Sequence, residues 1–258
     1  MENKSELINT LNKIKISIIM QVNLQNYPGA RENAINKFIR AVQSFQQQTY
    51  KNAELIIVAD DDTKVHQIYN RHFSDKKDIK FIYFDRPETP EMYTDLEGGT
   101  YYRGLARQIG RSIASGEIVT YMDSDDLITP DFTLTHMLIY NTDPSKTFWL
   151  NRAWIDNDKG ETAEEDILEP YNSEKEKLRY DNLGSTWKAI KLKAGKTIAA
   201  PWLLSHKLDV SVKWRDVISP VISEDMDFVM RLAKKYKNGG SIERPIYIRC
   251  HYKDLWDY

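Results

Sequence analysis

Two incompatible periodicities alternate through the first third of the chain, and that alternation constrains the fold more than any other feature. Ile14 to Val22 is a short apolar run centred on Ile16, Ile18, Ile19 and Met20. Glu54 to Ala59 and Ile79 to Phe84 are two more. Runs of this length, rich in β-branched residues, form buried strands. Between the first two, Arg31 to Gln48 places apolar residues at Ile35, Phe38, Ile39, Val42 and Phe45, the spacing of a helix with one buried face. Thr63 to Phe73 reads as a second helix. Strand, helix, strand, helix, strand implies a parallel sheet with right-handed crossovers.

The fourth strand turns this frame toward chemistry. After a loop from Asp85 to Thr100, the segment Tyr101 to Ser115 has helical spacing, with Leu105, Ile109 and Ile113 expected inward. Its other face carries Arg103, Arg107 and Arg111, of which Arg103 and Arg107 could offer charge-assisted hydrogen bonds to a phosphate, while Arg111 reads as a solvated face. The strand Ile118 to Met122 then runs directly into Asp123, Ser124, Asp125 and Asp126. In an extended turn Asp123 and Asp125 point the same way and repel unless a cation lies between them. Hard oxygen ligands at a strand end suit Mg²⁺ or Mn²⁺, which keep open positions for substrate phosphates. Open α/β sheets also place their ligands at that edge. The same acids suit a solvated turn capping a helix that begins near Pro130.

Beyond Asp126 the regularity drops. Pro130 to Tyr140 reads as a helix, Phe148 to Ile155 as one strand, and Glu161 to Asp181 as charged surface. Ser185 to Leu192 and Thr197 to Leu204 are aromatic-rich strand candidates. Ser223 is placed to cap a helix that opens with Glu224 and Asp225. Ser241 to Arg249 is a last strand, with His251 just past its end. Most tryptophans read as core, and Trp202 with His206 as candidates to meet an acceptor. His66, His72, His136 and Cys250 read as structural.

Composition narrows the class. At 258 residues the chain suits one domain over 1–258, and its net charge of −2 argues against a protein held to nucleic acid by bulk charge. One cysteine, no apolar run near the ~20 residues needed to cross a bilayer, and a polar start imply a soluble cytoplasmic protein, with room for peripheral contact at a membrane. No feature bears on oligomeric state.

Taken together, several segments resemble the family-two glycosyltransferases, inverting enzymes with a GT-A fold. They are Gln48-Thr49-Tyr50 before Glu54-Leu-Ile-Ile-Val, Gly104 to Arg107, Ala114-Ser-Gly-Glu, and Met122-Asp-Ser-Asp-Asp. The similarity covers most of residues 14–135, thinning beyond Leu127 to Ser223-Glu-Asp and His251. It implies a Rossmann-like, mostly parallel sheet flanked by helices and a smaller acceptor-side sheet in the C-terminal half, with a nucleotide-sugar half at 14–127 and an acceptor half at 128–258. It implies that Asp60 and Val22 border the base of a UDP-type donor, and that Arg107 lies near the nucleotide. The Asp123-Ser124-Asp125 segment would be the DxD motif reaching ribose and diphosphate through Mn²⁺ or Mg²⁺, with His251 as a further ligand. Asp225, beside Glu224, would be the general base. Two positions depart from the family, which has proline at Gln21 and Gly-Ser at Asp61-Asp62.

The expected reaction moves a sugar from a nucleotide diphosphate to the hydroxyl of a glycan, a lipid-linked glycan or another acceptor. A nucleotidyltransferase would also combine such a sheet with metal-bound acids, but no glycine-rich loop with a following lysine succeeds the first strand. A binding module without chemistry is the third class.

Overall fold

A computed structural model of the chain describes residues 13–24, 34–85, 102–157, 187–191, 204–215 and 224–250. The first half follows the expected order: β1 (Ile16–Val22), α1 (Ala34–Gln46), β2 (Ala53–Asp60), α2 (Thr63–His72), β3 (Ile79–Phe84), α3 (Arg103–Ile113) and β4 (Ile118–Asp123). Then come β5 (Leu127–Ile128), α4 (Phe132–Thr142), β6 (Phe148–Asn151), β7 (Ala153–Asn157), β8 (Trp187–Lys191), β9 (Leu204–Lys207), α5 (Glu224–Lys235), β10 (Gly240–Ile242) and β11 (Tyr247–Cys250).

Among the described residues these strands form a seven-stranded sheet, ordered β10-β6-β9-β4-β1-β2-β3, and a four-stranded sheet, ordered β5-β11-β7-β8. In the larger sheet every pairing is parallel except those of β9, which runs antiparallel to both β4 and β6. Helices cover both faces, which is why β1 and β2 read as continuous apolar runs. Ile16, Ile18 and Met20 face one side with Leu55, Ile57 and the α1 residues Phe38, Val42 and Phe45. Ile19, Ile56 and Val58 face the other with Ala106 of α3 and Phe228, Val229 and Leu232 of α5. No helix among the described residues is long and apolar enough to cross a membrane.

Four expectations need correction. The run Phe148 to Ile155 is two strands, β6 in the large sheet and β7 in the small one, divided at Arg152, whose N–H donates to Ile242 O at 2.7 Å. Ser241 to Arg249 is likewise divided, into β10 and β11, around Pro245, which has no N–H for a ladder. Because β10 pairs with β6 and β11 with β7, two neighbouring parallel strands cross together from one sheet to the other. The small sheet contains β8 from within the expected Ser185 to Leu192. Of the second candidate, Thr197 to Leu204, only Leu204 is among the described residues, and the strand there, β9, runs on to Lys207 within the large sheet; residues 192–203 lie outside the described set. So do Glu161 to Asp181 and Ser223.

The fourth correction concerns α3, which is turned over. Gly104, Ala106, Arg107, Gly110 and Arg111 are buried, whereas Ile113 is exposed. Small residues let the helix sit on the sheet: a Cβ on Gly110 would lie 2.6 Å from Ile19 Cγ2. The two buried arginines then find protein oxygens. Arg111, expected in solvent, donates to the carbonyls of Leu208, Val210 and Val212 and so shapes the turn after β9.

The Asp61-Asp62 departure has a backbone explanation. Asp61 sits at φ 50°, a left-handed conformation that Gly, Asn and Asp tolerate best. Asp62 caps α2, its Oδ1 accepting from Lys64 N at 2.9 Å, and its Oδ2 accepts from Leu24 N. Gly-Ser would meet the same two demands.

At the opposite edge of the sheet a buried carboxylate ties the strands together. Glu54 Oε1 accepts from the Ser17 hydroxyl and from Ser115 N, each at 2.7 Å, and Oε2 lies 2.8 Å from Nζ of both Lys15 and Lys80. Burial pushes this carboxyl up, but the two lysines, Ser17 and Ser115 outweigh it and lower it to about 2. A carboxyl more acidic when folded stabilises above its unfolded value of 4.5 and loses that contribution as pH falls toward 2. Glu54→Gln is therefore expected to cost about 2–3 kcal/mol at pH 7, a figure moderated by the partly exposed lysines. Urea melts of wild type and variant should converge between pH 4.5 and 2; a gap that persists at pH 2 contradicts this account.

Candidate active site

Three adjacent strands end at one edge and carry the residues singled out in the sequence. Val22 pairs with Ala59, Gln21 with Asp123, and Asp60 with Phe84, so Val22, Asp60 and Asp123 stand side by side at the C-terminal edge of β1, β2 and β4. Asp60 is buried, and Asn23 Nδ2 donates to its backbone oxygen at 3.0 Å, holding the β1 exit against β2.

The acidic turn divides its four residues into two kinds. Asp123, Ser124 and Asp125 are partly exposed, whereas Asp126 is buried. Asp126 Oδ1 accepts from Cys250 N at 2.8 Å and Oδ2 from the Tyr247 hydroxyl at 3.0 Å. That hydroxyl also accepts from Asp123 N at 3.0 Å. Burial, followed by the charges of Asp126, Asp123 and Asp125, raises the Tyr247 hydroxyl well above its ordinary value, so it stays protonated and donates. Asp126 is thus committed to β11, while Asp123 and Asp125 are the partly exposed acids of the turn.

Two partly exposed carboxylates at a strand end are a donor set that fits Mg²⁺ or Mn²⁺, ions that keep positions for phosphate oxygens. Among the described residues no group of three or more His, Cys, Asp or Glu side chains converges as a closed metal site. His251 lies outside the described residues.

α3 links this edge to the start of α5. Arg107 Nη1 lies 2.7 Å from Glu224 Oε1, with the two side chains 5% and 17% exposed, and its guanidinium stacks 5.1 Å from the Trp214 ring centroid. Burial raises the Glu224 carboxyl, but the Arg107 charge and hydrogen bond, helped by Arg103, leave it below its usual range. Glu224, a catalytic candidate in the sequence, is therefore paired with Arg107 at the start of α5, and an ionised partner of arginine is a poor proton acceptor. The same first turn commits Asp227 to Arg215 at 2.7 Å and Arg231 at 2.6 Å. Asp225, between them, is partly exposed, and its Oδ1 accepts from Met226 N at 2.8 Å.

Below Arg107 runs a polar chain within the core. Trp214 Nε1 donates to the Tyr121 hydroxyl at 2.6 Å, and that oxygen lies 2.7 Å from His206 Nε2. His206 Nδ1 lies 2.7 Å from Lys207 O, which assigns the proton to Nδ1 and leaves Nε2 to accept from Tyr121. Burial lowers His206 to about 3, so it is neutral. This corrects its reading as an acceptor residue: at 0% exposure it packs against Tyr121 and Phe228, on a strand of the central sheet. Trp202 lies outside the described residues. Sequence reading missed Tyr247 and Trp214 because each looks like an ordinary core aromatic; Tyr247 lies 124 residues from the aspartate it touches.

No protein-family model matches the chain. An uncharacterised glycosyltransferase of Rickettsia conorii is 33% identical over 121 residues, which is 47% of this chain and 16% of that protein. Among solved structures, S. aureus TarS 1-349 in complex with UDP-GlcNAc aligns with a TM-score of 0.57 at 14% identity, covering 95% of this chain and 61% of that one. The mannosyltransferase PcManGT from Pyrobaculum calidifontis, in complex with GDP-Man and Mn²⁺, aligns at 0.53 and 14% identity, covering 93% and 58%. The chain thus spans about a sixth of the curated relative and about three fifths of these solved chains. The fold is GT-A-like, the class adopted by these glycosyltransferase neighbours.

The Arg107–Glu224 pair yields a prediction. Glu224→Ala leaves a buried guanidinium without its carboxylate, which costs about 2–4 kcal/mol and lowers the melting temperature by roughly 5–10 °C. Glu224→Gln keeps an acceptor and is expected to fall by less than half as much. Equal melting temperatures for wild type and Glu224→Ala would show that the pair does not anchor α5.

Proposed function

We propose that this chain is an inverting, metal-dependent glycosyltransferase of the family-two type, using a nucleotide-diphosphate sugar. The observation that carries the reading is the turn after β4, which keeps Asp123 and Asp125 partly exposed at the edge where Val22 and Asp60 also end. The neighbours' complexes with UDP-GlcNAc, and with GDP-Man and Mn²⁺, support a nucleotide sugar as donor and a divalent ion as its partner. A UDP-linked sugar is the donor we favour, with Val22 and Asp60 beside its base.

Asp123 and Asp125, with His251 as a further ligand, would hold Mn²⁺ or Mg²⁺. When bound, the ion neutralises charge on the leaving diphosphate. Asp225 takes the proton from the acceptor hydroxyl, whose oxygen bonds to the anomeric carbon as the bond to the diphosphate oxygen breaks on the opposite face. That in-line geometry inverts the centre. The Arg107–Glu224 pair fixes the helix that presents Asp225, and Arg103 remains for the phosphates.

We assign residues 1–258 to one domain, with a donor half at 14–127 and an acceptor half at 128–258. The acceptor would be a glycan, a lipid-linked glycan or another hydroxyl compound, met in the cytoplasm or at its membrane surface, with Trp202 beside it.

Calorimetry with UDP is expected to show binding that requires Mn²⁺ and is lost in Asp125→Ala. Asp225→Asn should retain that binding while turnover of the accepted nucleotide sugar falls ~10²–10⁴-fold. Metal-independent UDP binding sinks the metal reading, unchanged turnover in Asp225→Asn sinks the base, and pyrophosphate release from a nucleoside triphosphate identifies a nucleotidyltransferase.

A further inference from the structure

We infer that Tyr247 and Asp126 are the positioning pair that presents Asp123 and Asp125 to the donor's metal, so that the small sheet sets the geometry of a site built on the large one. The inference rests on the metal-dependent reading above. Asp126 is 3% exposed and Tyr247 0%, so neither reaches a ligand directly. One hydroxyl nonetheless contacts both ends of the acidic turn, accepting from Asp123 N at 3.0 Å and donating to Asp126 Oδ2 at 3.0 Å. Asp126 Oδ1 takes Cys250 N at 2.8 Å, three residues further along β11. Within the turn, Asp126 N reaches Asp123 O through a long backbone bond of 3.4 Å.

Removing the hydroxyl therefore takes a partner from the Asp123 N–H and from one Asp126 oxygen together. Asp123 and Asp125 would then lose their mutual orientation while their carboxylates remain. The pairing of β11 with β5 at Tyr247–Ile128 and Ile248–Leu127 would persist, because it does not use the side chain. Groups that orient metal ligands affect affinity by about 10–100-fold.

The test measures UDP binding with and without Mn²⁺ by calorimetry, alongside thermal melts. In Tyr247→Phe we expect the Mn²⁺-dependent UDP affinity to fall at least about tenfold, while the weaker metal-free UDP affinity and the cooperative melt persist. A purely structural role would leave the two affinities in their wild-type ratio. Asp126→Asn retains size but loses one acceptor, and the same selective loss is expected there, so a folding defect in one variant does not remove the test. Wild-type Mn²⁺-dependent affinity in a folded Tyr247→Phe or Asp126→Asn protein overturns the positioning role alone. A wild-type protein that binds UDP equally with and without Mn²⁺ overturns the metal reading and this inference with it.

Discussion

The carboxylate of Asp126 is the interaction on which the site's architecture depends. It is buried at the seam of the two sheets, and both oxygens are satisfied from β11. A buried, unpaired carboxylate would be costly, so the small sheet must stay docked whenever Asp126 is ionised. That dependence separates the turn into an interior acid, which sets its position, and outer acids, which are partly exposed. Four consecutive polar residues thereby acquire different roles from burial alone. The two-strand crossover of β6 to β7 and β10 to β11 is what brings β11 to that seam.

The second dependence runs through α3. An amphipathic helix usually hides its largest aliphatic residues, yet this one buries glycine, alanine and arginine. Close approach to the sheet requires small residues, and the guanidinium groups are then long enough to pass the backbone and reach oxygens beyond it. Arg111 reaches three carbonyls after β9, and Arg107 reaches Glu224 on α5. The helix acts as a spacer whose arginines set the position of two other elements. A lysine at either position would supply one compact charge and lose the forked geometry.

The parallel half of the fold was legible because its strands are buried on both faces and interrupted by helical spacing. The acids at the ends of β2 and β4 were legible for the same reason, since a polar residue following such a run has to lie at an edge. The inward face of α3 was not legible. Periodicity identifies which residues share a face, but the choice between an aliphatic face and a small-plus-arginine face depends on carbonyls and carboxylates about 100 residues away. The same limit hid the division of β6 from β7, because one run can serve two sheets with only Arg152 between them. His206 was misread because a histidine in a polar-flanked strand looks accessible, whereas its neighbours Tyr121 and Phe228 enclose it.

The residues 61 and 62 show what such a fold holds fixed. The chain leaving β2 must take a left-handed step and then satisfy the first turn of α2, within two residues. Glycine followed by serine meets those demands through absence of a Cβ and a hydroxyl cap. Asp61 and Asp62 meet them with a side chain tolerated at positive φ, bonded to the Tyr83 hydroxyl at 3.1 Å, and a carboxylate cap. Asp62 does one thing more, because its second oxygen accepts from Leu24 N and so ties the loop after β1 to the loop after β2. Both loops begin at the edge where Val22 and Asp60 stand, so this local solution also sets the spacing of the strand ends that frame the site.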